Sequence, residues 1–125
     1  MREKSSSFTY SAKDREVIDL MNSLGMARNL SKILVFLSKV GEASSHDIEE
    51  SINIRQSEVS IVTKRLRNNG WVTSRSLNKP SKGRPIQIYK LRYSMRRILK
   101  DIEAAKLTEM EATKKQIAHL KRLAK

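Results

Sequence analysis

Apolar residues recur at helical spacing along most of the chain and switch to strand alternation over one stretch past its middle. From Asp14, the positions Val17, Ile18, Met21 and Leu24 share one helix face, and Gly25 supplies a stop. Leu30, Ile33, Leu34, Leu37 and Val40 repeat the pattern, with Asn29 or Ser31 near the start and Gly41 just past the end. They predict a second, more deeply buried helix. Glu42-Ala43 has room only for a strand stub. Ser44 then stands three residues before Asp47, a capping box with Asp in place of Glu, so a short helix should run to about Ile52 with Ile48 and Ile52 inward.

Asn53-Ile54 turns the chain into a further helix, from Gln56 to about Asn69, which points Val59, Val62 and Leu66 to one side. After the turn signal Asn69-Gly70, Trp71-Val72-Thr73 and Ile86 to Leu91 alternate as strands, with Asn78 to Pro85 as the hairpin tip. Two short helices joined by a tight turn and followed by a two-stranded ribbon form a helix-turn-helix with a wing. The expected fold class is mainly α with a small β-hairpin wing (α+β), a winged helix-turn-helix with a long C-terminal dimerisation helix. The expected division is a flexible arm over 1–12, the winged domain over 13–93 and the terminal helix over 94–125. Phe8 and Tyr10 are the two residues of the arm with something to dock.

Charge changes the picture. Between Arg55 and Leu91 the chain carries nine Lys or Arg against one acidic residue, Glu58, and so holds most of the formal +13. A basic helix followed by a cationic hairpin is the electrostatic footprint of a phosphate-backbone reader. On the helix, Arg55, Gln56, Ser57, Ser60, Ile61, Lys64, Arg65 and Arg67 are the candidate DNA contacts. Gln56 suits adenine, Lys64 guanine or phosphate, the small Ser57 and Ser60 permit close approach, and Ile61 suits a thymine methyl. On the wing, Lys79, Lys82, Gly83 and Arg84 are the candidates. Trp71, directly after the Gly that ends the helix, reads as core rather than as a base-stacking platform. Tyr89 is open to either reading.

Gly41-Glu42-Ala43-Ser44-Ser45, Ser57-Glu58-Val59-Ser60, Lys64 through Val72, and Gly83-Arg84-Pro85 with Tyr89-Lys90-Leu91 together resemble prokaryotic winged-helix transcriptional regulators of the MarR and TrmB type. The resemblance covers about Leu30 to Leu91 and implies double-stranded DNA as partner. It departs from the family at the head of the second helix, where Arg55 stands in place of a Ser or Thr cap. Ser57 is the alternative cap, which would start the helix late. Lys82-Gly83-Arg84-Pro85 also resembles the core of AT-hook peptides, whose slim backbone enters a narrow A·T minor groove.

Residues 94–125 contain neither Gly nor Pro. A helix of that length extends about 48 Å, more than a domain this small covers. Met95, Ile98, Ile102 and Ala105 fit one heptad phase, and Met110, Thr113, Ile117, Leu120 and Ala124 another. Homodimerisation through Ile98, Ile102, Met110, Ile117 and Leu120 is expected, presenting two wings to a pseudo-palindromic site.

Other classes find less support. No apolar run approaches the roughly 18 residues of a membrane span. The absence of cysteine removes disulfides and thiolate metal sites. His46 and His119 belong to no ligand or nucleophile motif, so neither an enzyme, a cofactor nor a metal is expected, and no membrane partner. The expected location is cytoplasmic, on the nucleoid. Two alternatives stay open: a protein-interaction module using Glu42, Asp47, Glu49 and Glu50, and a sequence-neutral nucleoid-binding protein. No effector-binding residues stand out, and a small-molecule effector is left unknown.

Overall fold

A computed structural model of the chain describes residues 8–77 and 85–125. The described chain divides into two compact units, up to Arg92 and from Tyr93 onward.

In the first unit the order is α1 (Ala12–Ser23), α2 (Arg28–Val40), β1 (Glu42–Ser44), α3 (Ser45–Ile52), α4 (Gln56–Asn68), β2 (Val72–Leu77) and β3 (Ile86–Leu91). α2 is the central helix and touches α1, α3, α4 and β3. That position explains why Ile33 through Leu37 are all buried, since the middle of a helix surrounded by partners has no solvent face to keep polar. Ser31 sits among them because its hydroxyl donates to the Ala27 carbonyl at 3.1 Å. α2 opens at Ala27 with no side-chain cap, so neither Asn29 nor Ser31 caps it. Two residues counted with the apolar stripes, Leu24 and Val40, end up exposed at the last turns of their helices.

The ends of the elements are built from local chemistry. Ser44 and Asp47 form the expected reciprocal capping box. Ser11 and Asp14 form a second one that the hydrophobic pattern did not reveal, and it starts α1 two residues before Asp14. Asn53 closes α3 in the left-handed region at φ 52°, a conformation Asn tolerates better than most residues. α4 ends in a Schellman motif: Trp71 N–H donates to the Leu66 carbonyl and Gly70 N–H to that of Arg67, with Gly70 at φ 79°. Arg55 is the N-cap of α4 and makes no side-chain cap bond, so the helix begins at Gln56 and not late at Ser57.

The ribbon is wider than two strands. β1 pairs with β3 (Ala43 opposite Tyr89), and β3 with β2 (Ser74 opposite Tyr89), giving an antiparallel sheet in the order β1-β3-β2. Tyr89 is therefore the central residue of the sheet, and it is buried. Trp71 is half-buried and its carbonyl accepts from the Arg92 amide at 2.7 Å.

Phe8 and Tyr10 are docked. Phe8 meets Phe36 edge-on at 4.8 Å, and the Tyr10 hydroxyl donates to the Lys32 carbonyl at 2.6 Å. Burial raises the Tyr10 pKa, and the nearby Asp14 charge adds to it. Asp14 is held below the usual carboxylate range by the Ser11 amide, against its own burial and with help from Lys39, whose ammonium lies 3.1 Å away. Its folded pKa is thus below the unfolded value, so its contribution is present above about pH 4 and lost as pH falls through the folded pKa. Asp14→Asn should lower stability by about 1 kcal/mol near neutrality. Urea unfolding of both proteins across pH should show the gap closing toward acid, and a gap constant with pH would assign it to something other than the charge.

The second unit is α5 (Met95–Leu123), which rises for about 43 Å. Ser94 caps it by accepting from the Arg97 amide, and the Arg97 guanidinium lies over the Tyr93 ring, 4.3 Å from its centroid.

Candidate nucleic-acid interface

The site begins with what α4 hides. Val59, Val62, Thr63 and Leu66 are its buried residues. At about 100° per residue, the ridge opposite them is formed by Ser57, Ile61, Lys64 and Asn68. All four are exposed, Ile61 at 55%. Gln56, Ser60 and Arg67 make one flank of this ridge; Arg65 makes the other, beside half-buried Glu58. Arg55 precedes the helix and is also exposed. The eight helix candidates therefore share one solvent-facing surface. Asn68 belongs with them and was missed, although its i+4 relation to Lys64 was readable.

Thr63 is the reason a polar residue can sit on the hidden side. Its hydroxyl donates to the Val59 carbonyl at 2.8 Å, which leaves the threonine methyl to pack as an apolar group. Glu58 stands in the first turn, where the helix dipole favours a negative charge and partly replaces the missing cap.

The sheet redistributes the basic charge that the sequence presents as one block. Arg75 is ion-paired with Glu42 at 3.0 Å, a link from β2 to β1 across β3. Arg67 Nη1 donates to Ser74 Oγ at 3.4 Å, so this guanidinium leans toward the base of the wing. Gln87 Nε2 donates to Ser76 Oγ at 2.8 Å, joining the two wing strands. Lys64 stands exposed at the centre of the ridge. Lys79, Lys82, Gly83 and Arg84 lie outside the described residues.

The acidic residues also acquire local roles. Glu42 holds Arg75, Asp47 caps α3, and Glu50 lies 3.5 Å from His46. Three of the four carboxylates proposed to meet a basic partner thus have partners within the chain. Among the described residues no group of three or more His, Cys, Asp or Glu is placed to hold a metal ion. No described helix is long and apolar enough to cross a membrane.

No protein-family model matches the sequence, and no curated protein matches it. Solved structures do. A possible transcriptional regulator from Methanosarcina mazei Go1 superposes with a TM-score of 0.65, covering 91% of this chain and 97% of its own at 16% identity. The fold is a winged helix. A MarR variant from E. coli complexed with operator DNA matches with a TM-score of 0.51, covering 84% of each chain at 16% identity. YusO from Bacillus subtilis gives 0.51, covering 88% of this chain and 82% of its own at 18% identity. Within the winged helix, α3 and α4 form the helix-turn-helix, β2 and β3 form the wing, and β1 ties the wing to the end of α2.

Proposed function

We propose that the chain is a sequence-specific, double-stranded DNA-binding transcriptional regulator that acts as a homodimer. α4 enters the major groove and the wing, residues 79–85, enters the adjacent minor groove. The observation that carries this reading is the exposed ridge of α4: short, amide and basic side chains along a helix whose other face is fully buried, followed in the sequence by a segment rich in Lys and Arg. An α-helix fits the B-DNA major groove, and this ridge offers a bidentate amide, a thymine-contacting alkyl group and a cation in one line. Neutral core residues behind it fix its position.

The dimer is supported by α5. Met110, Ile117 and Leu120 are 54%, 49% and 63% exposed, an apolar stripe on a helix whose residues from Glu103 onward are almost all exposed. Ile98 and Ile102 are already buried within the single chain, so the distal residues carry the association. Two copies would present two ridges and two wings to an inverted repeat.

Selection from random duplexes tests the whole reading. Wild-type protein should enrich an inverted repeat with A·T-rich flanks, because Arg84, between Gly83 and Pro85, suits a narrow electronegative minor groove. Arg84→Ala should keep the central bases and lose the flank preference. Arg84→Lys should recover only part of it, since an ammonium is more strongly hydrated and lacks the planar fork. An unenriched pool would point to packaging or protein binding instead, and an unchanged flank in Arg84→Ala would make the wing a spectator.

A further inference from the structure

We propose that two copies of the chain pair their α5 helices antiparallel, centred on Thr113, with the acidic half of each against the basic half of the other. This rests on the homodimer reading and adds its orientation and register. After the basic first turns with Arg96, Arg97 and Lys100, charge along α5 is segregated. Residues 101–111 hold Asp101, Glu103, Glu109 and Glu111 against Lys106 alone, whereas 112–125 hold five Lys or Arg and no acid. Over residues 101–125, parallel pairing would lay like charge on like charge. Antiparallel pairing lays opposite on opposite.

The apolar ridge has the same symmetry. Lys106, Met110, Thr113, Ile117, Leu120 and Ala124 follow one another at alternating steps of four and three, an uninterrupted heptad seam. Reversed about Thr113, Ile117 falls against Met110, and Leu120 against Lys106. Among these six residues Lys106 is the one charge, and its ammonium is drawn aside to Glu109 at 2.9 Å. Its methylene stem is left to cover Leu120 of the partner subunit. In a parallel pair the two Lys106 ammonium groups would face each other instead.

The chain contains no cysteine, so single cysteines report the arrangement without background. Thr113→Cys should cross-link to itself on oxidation in any in-register α5 dimer. Leu120→Cys alone should not, because its counterpart lies about 21 Å away along the axis, whereas a mixture of Leu120→Cys and Lys106→Cys should form a heterodisulfide. The dimer should also weaken as salt rises. Efficient self-linking of Leu120→Cys, or a dimer tightened by salt, would establish parallel pairing and overturn this inference while leaving the homodimer intact. A dimer by sedimentation that cross-links at none of these positions would place the contact elsewhere and overturn it as well. A monomer would remove both readings, and a monomer that binds phosphatidylserine vesicles through α5 would give the face to lipid.

Discussion

Binding to duplex DNA should fall by about a thousand- to a hundred-thousand-fold between about 50 and 200 mM salt. The expectation comes from phosphate neutralisation: if a dimer covers roughly 6 to 10 phosphates, log affinity should fall against log salt with a slope of about −5 to −9. The basic block from Arg55 to Leu91 supplies enough cations for this even with Arg75 already held by Glu42. Lys64→Ala removes the cation at the centre of the exposed ridge and should make the slope shallower by about one per copy. Fluorescence anisotropy across a salt series measures both. A slope near zero would sink the DNA reading, and an unchanged slope in Lys64→Ala would place that side chain off the phosphates.

Introducing a charge at Ile117 should convert the protein from dimer to monomer. Ile117 lies mid-seam and is half-exposed in the single chain, so Ile117→Glu leaves the interior of the chain untouched and penalises only association. Analytical ultracentrifugation at tens of micromolar should give a dimer for the wild type and a monomer for the variant, with the thermal transition of the winged unit retained. Affinity for a paired site should drop by about a hundredfold or more, since the second half-site is then no longer bound intramolecularly. Affinity for a single half-site should not change. A wild type that sediments as a monomer removes the dimer and its paired site together.

The order of the elements was legible because each carries its own punctuation. Ser44 with Asp47, Asn53, and Gly70 after Asn69 each dictate a local hydrogen-bonding solution that tertiary contacts did not override. The alternation of Ile86 to Leu91 likewise predicted β3. What the pattern could not supply was partnership. A three-residue stub shows no periodicity, so the pairing of β1 with β3 had to come from the fold, and with it the Glu42–Arg75 link. Arg67 looked equivalent to Lys64 by charge and helix face, and only Ser74, seven residues later and on a different element, separates them. Leu24 and Val40 satisfied helical spacing yet lie exposed, because spacing says which face a residue shares and not how far along the helix its cover extends. The burial of Ile98 and Ile102 was equally hidden, since a heptad stripe looks the same whichever chain covers it.

The start of α4 without a side-chain cap bears on how such a protein is improved or damaged. A Ser or Asp at position 55 would accept the first-turn amides and add about 1 kcal/mol of helix stability. In the proposed DNA complex the same exchange would remove a cation from the end of the helix that enters the groove. Under that proposal, residue 55 is a point where thermostability and affinity pull in opposite directions. Engineering guided by melting temperature alone would drift toward a firmer protein that holds its target less well.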